Sequence, residues 1–153
     1  AAQSGLLSAR LAAGGMTGEV KEIGIFATTI HTADNLKVVI GNNKIFSDNI
    51  VNYSSNAFRG VDLRAQLAHG VDSQDAIARL KTKVVRIANL AKDPAPLVEI
   101  LDFNAYGTLL VVRPFCHNSH YWQVYFDTNR AIQEVCKEAG YPTPEQRQAV
   151  RAV

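Results

Sequence analysis

Cys116, His117 and His120 bring a thiol and two imidazoles together in CHNSHYW, where a strand-like run gives way to a helical one. Thiolate and imidazole bind zinc, and a cysteine near a helix N-terminus can have a lowered pKa. A structural zinc needs four ligands, however. His31, His69 and Cys136 are remote in sequence, and no paired C-x₂-C supports the cluster. Two carboxylate pairs, Asp72 with Asp75 and Glu99 with Asp102, have a spacing that can serve acid–base chemistry. Asp72 and Asp75 open a helical stretch, where capping and the helix dipole account for them. On the same stretch Arg79, Lys83 and Arg86 make a basic side that could touch RNA, but closely spaced aromatics on the strands, the mark of an RNA-binding sheet, are absent. The glycines form neither a phosphate-binding loop nor G-x-G-x-x-G. We therefore expect no catalytic residue, no metal ligand and no cofactor, and a role other than that of an enzyme.

The bulk properties agree with a folded, chemically quiet chain. It has 153 residues, enough for one domain or two small ones, and 47% of them are hydrophobic. A formal charge of +2 points to neither nucleic acid nor an acidic surface. Two cysteines, Cys116 and Cys136, sit in periodic segments and read as free thiols in a reducing compartment. No run approaches the roughly 18 apolar residues of a membrane span, and no signal peptide opens the chain.

The elements fall into two textures. Residues 1–15, AAQSGLLSARLAAGG, read as a helix with Leu6, Leu7 and Leu11 on helical spacing and Gly14–Gly15 at its end, or as a frayed leader. From residue 16 the composition turns β-rich, with strands over GEVKEIGIFATTIHT, LKVVIG and NIVNYS. Turns are expected at Ala33–Asn35 and Asn42–Asn43, and a short helical or irregular piece at KIFSD. This is a small all-β module, a barrel or sandwich.

After the junction SSNAFRG the pattern changes. VDLRAQLA alternates, with Val61, Leu63, Ala65 and Leu67 on one face. A helix follows with Ile77, Leu80, Val84, Ile87 and Ala91 as its stripe and Asp72 or Ser73 as its cap. LVEILDF and TLLVVRPFC are strands. The last helix takes Trp122, Tyr125 or Phe126, Ile132, Val135 and Cys136 as its apolar face, and Gly140 ends it. The order β-α-β-β-α fits a ferredoxin-like sheet, and EQRQAVRAV could supply a terminal strand. The fold class is α+β.

GEVKEIGIFATTIHTADNLKVVIGNNKIFSDNIVNYS resembles the β-domain signature of the small-conductance mechanosensitive channel family. The match falls on Gly18, Val20, Ile23, Thr28, Ile30, Thr32, Asp34, Asn42, Ile45, Ile50, Asn52, Tyr53 and Ser54. HGVDSQDAIARL and RPFCHNSHYWQVYFDTNRAI resemble the family's cytoplasmic α/β domain. Gly41 stands where the family usually has proline before the asparagine, and the family's R-P-F-x-x-G-D stretch is missing before the β domain.

The resemblance implies four segments: a leader or pore-helix remnant at 1–15, an Sm-like β domain at 16–58, a ferredoxin-like domain at 59–143, and a strand of an oligomeric barrel at 144–153. The signature residues Gly18, Thr28, Asp34, Asn42, Asn52 and Tyr53 are expected to be structural; no pore residue is assigned. It further implies a homoheptameric cage on the cytoplasmic side of a bacterial inner membrane, reached through segments absent from this chain. Ions and small osmolytes would be the permeants, with no nucleic-acid partner. A ferredoxin-like module regulating through RNA or a small ligand is the alternative.

Overall fold

A computed structural model describes residues 10–13, 16–47 and 49–146. The chain divides into two compact units, residues 1–57 and 58–153.

The first unit is one antiparallel sheet of five strands in the order β4-β3-β2-β1-β5. The strands are β1 (Arg10–Ala13), β2 (Met16–Ile23), β3 (Ala27–Thr32), β4 (Lys37–Gly41) and β5 (Val51–Asn52), with a one-turn helix α1 (Asn42–Phe46) after β4. The inward set Val20, Ile30, Ile40 and Ile45 forms its small core, with Val38 packed against it. β2 and β3 slip register between Val20 and Glu22, a bulge that bends the pair.

Two sequence expectations change here. Residues 10–13 are a strand, not part of a helix. β1 pairs with β2 from Arg10↔Glu19 to Ala13↔Met16 and with β5 at Leu11↔Asn52 and Ala12↔Val51, so it supplies the ladder partners that β2 and β5 would otherwise lack. Helical spacing of three leucines is weaker than two open strand edges. Asn42 and Asn43 are not a bare turn but the first residues of α1. Residues 1–9, Gly14 and Gly15 lie outside the described residues, as do 147–153, where the terminal strand was expected.

The second unit carries a three-stranded antiparallel sheet, β7-β9-β8, and a two-stranded one, β10-β6. Its elements are β6 (Arg59–Gly60), β7 (Leu63–Gln66), α2 (Ser73–Val84), β8 (Leu97–Asn104), β9 (Gly107–Arg113), β10 (Phe115–Cys116) and α3 (Tyr121–Glu138). β9 lies between β7 and β8 and runs antiparallel to both, which is the split β-α-β arrangement of a ferredoxin-like half. Val61, Leu63, Ala65 and Leu67 are all buried, as alternation requires, and pack with Leu80, Val84, Val98, Leu110 and Val112.

Asp72 caps α2, its Oδ1 accepting from Gln74 N at 2.8 Å. The helix stops at Val84 instead of running to Ala91. Its end tightens through Ile87 N to Val84 O at 3.0 Å, Asn89 takes a left-handed φ of 64°, and Ala91 N then donates to Phe115 O at 2.7 Å. On α3 the buried stripe is Val124, Thr128, Ala131 and Val135. Of the expected face, Tyr125 and Ile132 pack partly buried against the core and Val135 is buried, whereas Trp122 is 52% exposed and Phe126, the alternative to Tyr125, 57%. The stripe keeps helical spacing but starts at Val124, with Tyr121 and Tyr125 packed partly buried at its margin.

Candidate functional site

The best-built feature of the first unit is a clamp around Asn42. Its side chain accepts from Thr28 Oγ1 at 2.8 Å and donates from Nδ2 to the carbonyls of Gly24 at 2.9 Å and Ile25 at 3.1 Å. Its backbone N–H donates to Phe26 O at 2.8 Å, and Gly24 N donates to Ala27 O at 2.8 Å. One amide side chain thus ties β3 to the β2–β3 turn at the point where α1 begins. The neighbouring Gly41 has φ −59°, the angle a proline ring would impose. The backbone therefore holds the family's proline geometry without the proline.

The other signature residues serve backbone geometry too. A Cβ on Gly18 would lie 2.5 Å from His31 O on β3, a contact no side chain survives. Asp34 is exposed in the β3–β4 turn, where Asn35 takes φ 64° and Thr32 N donates to Leu36 O at 3.0 Å. Asn52 Oδ1 accepts from both Ser54 N at 3.0 Å and Ser54 Oγ at 3.1 Å, and Tyr53 is half-buried beside it in sequence. What sequence reading missed is what the clamp presents. Ile25 and Phe26, counted as strand composition, stand 88% and 85% exposed at the turn, and Phe46 on α1 is also exposed. Gly24, followed at once by two large apolar residues, was the available signal.

In the second unit the side chains of the CHNSHYW cluster do not converge on one point. Cys116 is buried, and burial pushes its thiol pKa up, away from the thiolate form. His117 Nδ1 lies 2.8 Å from Ser119 Oγ, and the His117 and His120 rings are 6.5 Å apart. Among the described residues no group of three His, Cys, Asp or Glu side chains could hold a metal. Glu99 is paired with Lys81 at 2.9 Å, and Asp102 Oδ1 accepts from the backbone N–H of Phe103 at 2.7 Å.

The basic side of α2 faces α3 across an open groove of about 580 Å³. Lys83 lies 3.0 Å from Glu134 and 2.8 Å from Glu138, and these carboxylates raise its pKa. Arg79 donates to Asp75 at 2.8 Å, and Asp75 also accepts from Tyr141 Oη at 2.6 Å. Arg79 first, then Tyr141, holds the Asp75 carboxyl below its ordinary pKa, while burial and then Asp75 push Tyr141 up to about 12. A phosphate approaching Arg79 or Lys83 would have to displace those carboxylates. Arg86 lines the same groove.

The outer strand β8 also exposes apolar side chains. Only Val98 among its eight residues is buried, and Phe103 is 70% exposed, with Leu97, Ile100 and Leu101 also open to solvent. An edge strand with apolar side chains invites another chain.

Comparison with known proteins places these features. The mechanosensitive ion channel β-domain profile matches residues 9–55, and the profile of the mechanosensitive ion channel MscS C-terminal region matches residues 50–142. The small-conductance mechanosensitive channel of Edwardsiella ictaluri is 33% identical over 135 residues, covering 86% of this chain and 47% of that protein. An MscS family protein of Synechocystis is 26% identical over 135 residues, covering 88% of this chain and 46% of its own length. The chain thus spans about half the length of the curated relatives it matches. The closed-state crystal structure of Helicobacter pylori MscS superposes with a TM-score of 0.85 at 16% identity, over 95% of this chain and 58% of that one. Arabidopsis thaliana MSL1 gives 0.70, also at 16% identity, over 92% and 53%. With both profiles matching in order and the α+β fold agreeing, the chain belongs to the MscS family of mechanosensitive ion channels.

Proposed function

We propose that this chain is the cage-forming portion of a channel that releases ions and small osmolytes when membrane tension rises. Seven copies would form a ring of β modules and a hollow wall of α/β modules on the cytoplasmic side of a bacterial inner membrane. The membrane-crossing segments would lie elsewhere in the protein, since no helix among the described residues is long and apolar enough to span a bilayer. The observation that carries the reading is the pairing of the two family modules with the exposed apolar edge of β8, which a neighbouring copy can cover. Identical patches repeated around a rotation axis close into a ring.

Multi-angle light scattering on the purified chain tests this. The expected species is seven copies of the 16.7 kDa chain, about 117 kDa. A monomer mass that does not change with concentration overturns autonomous assembly. The RNA-binding alternative gains nothing from the α2 face, where Arg79 and Lys83 are already held by carboxylates.

A further inference from the structure

We propose that the Ile25–Phe26 tip is a membrane-surface wedge that enters the headgroup boundary of an anionic lipid leaflet. This rests on reading the chain as part of a membrane channel, and it adds a contact that the family match does not assign.

The tip is a built projection. Asn42 holds the carbonyls of Gly24 and Ile25 with its Nδ2 and the carbonyl of Phe26 with its backbone N–H. The backbone is therefore fixed while both side chains point away from the core, 88% and 85% exposed. No ionisable residue occurs between Glu22 and His31, so the tip carries no charge of its own out of water, and exposed Glu22 stays at its base. α1 starts at the clamp and adds exposed Phe46, with Lys44 as its one charged residue. An uncharged apolar tip suits the acyl boundary of a leaflet, and Lys44 on the helix that starts at the clamp supplies a cation for the headgroup layer.

Size decides between lipid and protein as the occupant. A stable protein contact buries roughly 800 Å² on each partner, whereas Ile25, Phe26 and Phe46 together offer roughly two thirds of that or less. A second copy would also need a cavity shaped to a convex tip, and a bilayer needs none.

The test uses the chain in a Trp122→Phe background carrying Phe26→Trp, tethered by a C-terminal tag to vesicles of phosphatidylcholine and phosphatidylglycerol. With brominated acyl chains the introduced indole should lose emission by about twofold or more, and Ile25→Ser or Asn42→Ala should reduce that quenching. In flotation of the untagged chain, Ile25→Ser with Phe26→Ser should weaken vesicle binding by about tenfold. Unquenched emission typical of water overturns the proposal. So does an emission already blue-shifted without lipid, which would place protein over the tip. Light scattering on the same Trp122→Phe, Phe26→Trp chain separates the two readings: a ring mass with no quenching sinks only the wedge, and a monomer mass with quenching sinks only the ring.

Discussion

Cutting the clamp is the sharpest test of how the β module is held. Asn42→Ala removes three side-chain hydrogen bonds, to Thr28, Gly24 and Ile25. The two turn carbonyls are near water and can be rehydrated, so their loss costs about 0.5 kcal/mol each. Thr28 differs, because it is only 5% exposed and its hydroxyl would be left without its acceptor. That adds about 1–2 kcal/mol, for a total of about 2–3 kcal/mol.

Thr28→Val deletes the same bond but takes the hydroxyl with it. The double variant should therefore lose less than the sum of the singles, by about 1 kcal/mol. Native-state hydrogen exchange reads this locally. Asn42 N bonds Phe26 O, so ladder alternation makes Thr28 and Ile40 the next directly bonded pair. Their amides should exchange about 30-fold faster in Asn42→Ala, as a 2 kcal/mol loss requires. Exchange within about twofold of wild type, or a strictly additive cycle, would refute the reasoning.

Three further outcomes are expected. Gly41→Pro should stabilise the β module by about 0.4–1 kcal/mol in the same exchange assay, less the cost of moving Asn43 Oδ1, which would lie 2.8 Å from the added Cβ, since φ is already −59° and Gly41 faces Ala27 at a position where its N–H points away from β3. Thr128→Val should raise the urea midpoint of the second unit, worth about 1 kcal/mol, because the buried Thr128 hydroxyl has no hydrogen-bond partner among the described residues. Tyr141→Phe should alter the alkaline limb of stability. The folded state holds the phenol proton up to about pH 12 against a reference of 10.0, so this contribution is complete below pH 10 and lost as pH rises toward 12. The wild-type advantage over the variant, read from urea midpoints, should shrink across that window.

The sequence made some of this legible and hid the rest for physical reasons. The strand Leu63–Gln66, inside the alternation from Val61 to Leu67, and the cap at Asp72 were readable because alternation and capping are local rules. The strand at Arg10–Ala13 was not, because its partners β2 and β5 are tertiary and its own residues have helical spacing. On α3 the ring of Trp122 outweighed the quieter stripe through Val124 and Thr128, since a large aromatic signals burial only when a cavity exists to take it. The clamp was half visible. Thr28 and Asn42 stood out by resemblance, but that they bond each other, 14 residues apart, and jointly raise Ile25 and Phe26 comes only from the fold.

The channel reading is tested most directly by patch clamp of the full-length protein that contains this chain, reconstituted in lipid and stretched by suction. Stepwise currents that appear only above a tension threshold are the predicted result. Patches holding the assembled protein that stay silent up to the tension at which the bilayer ruptures would contradict it.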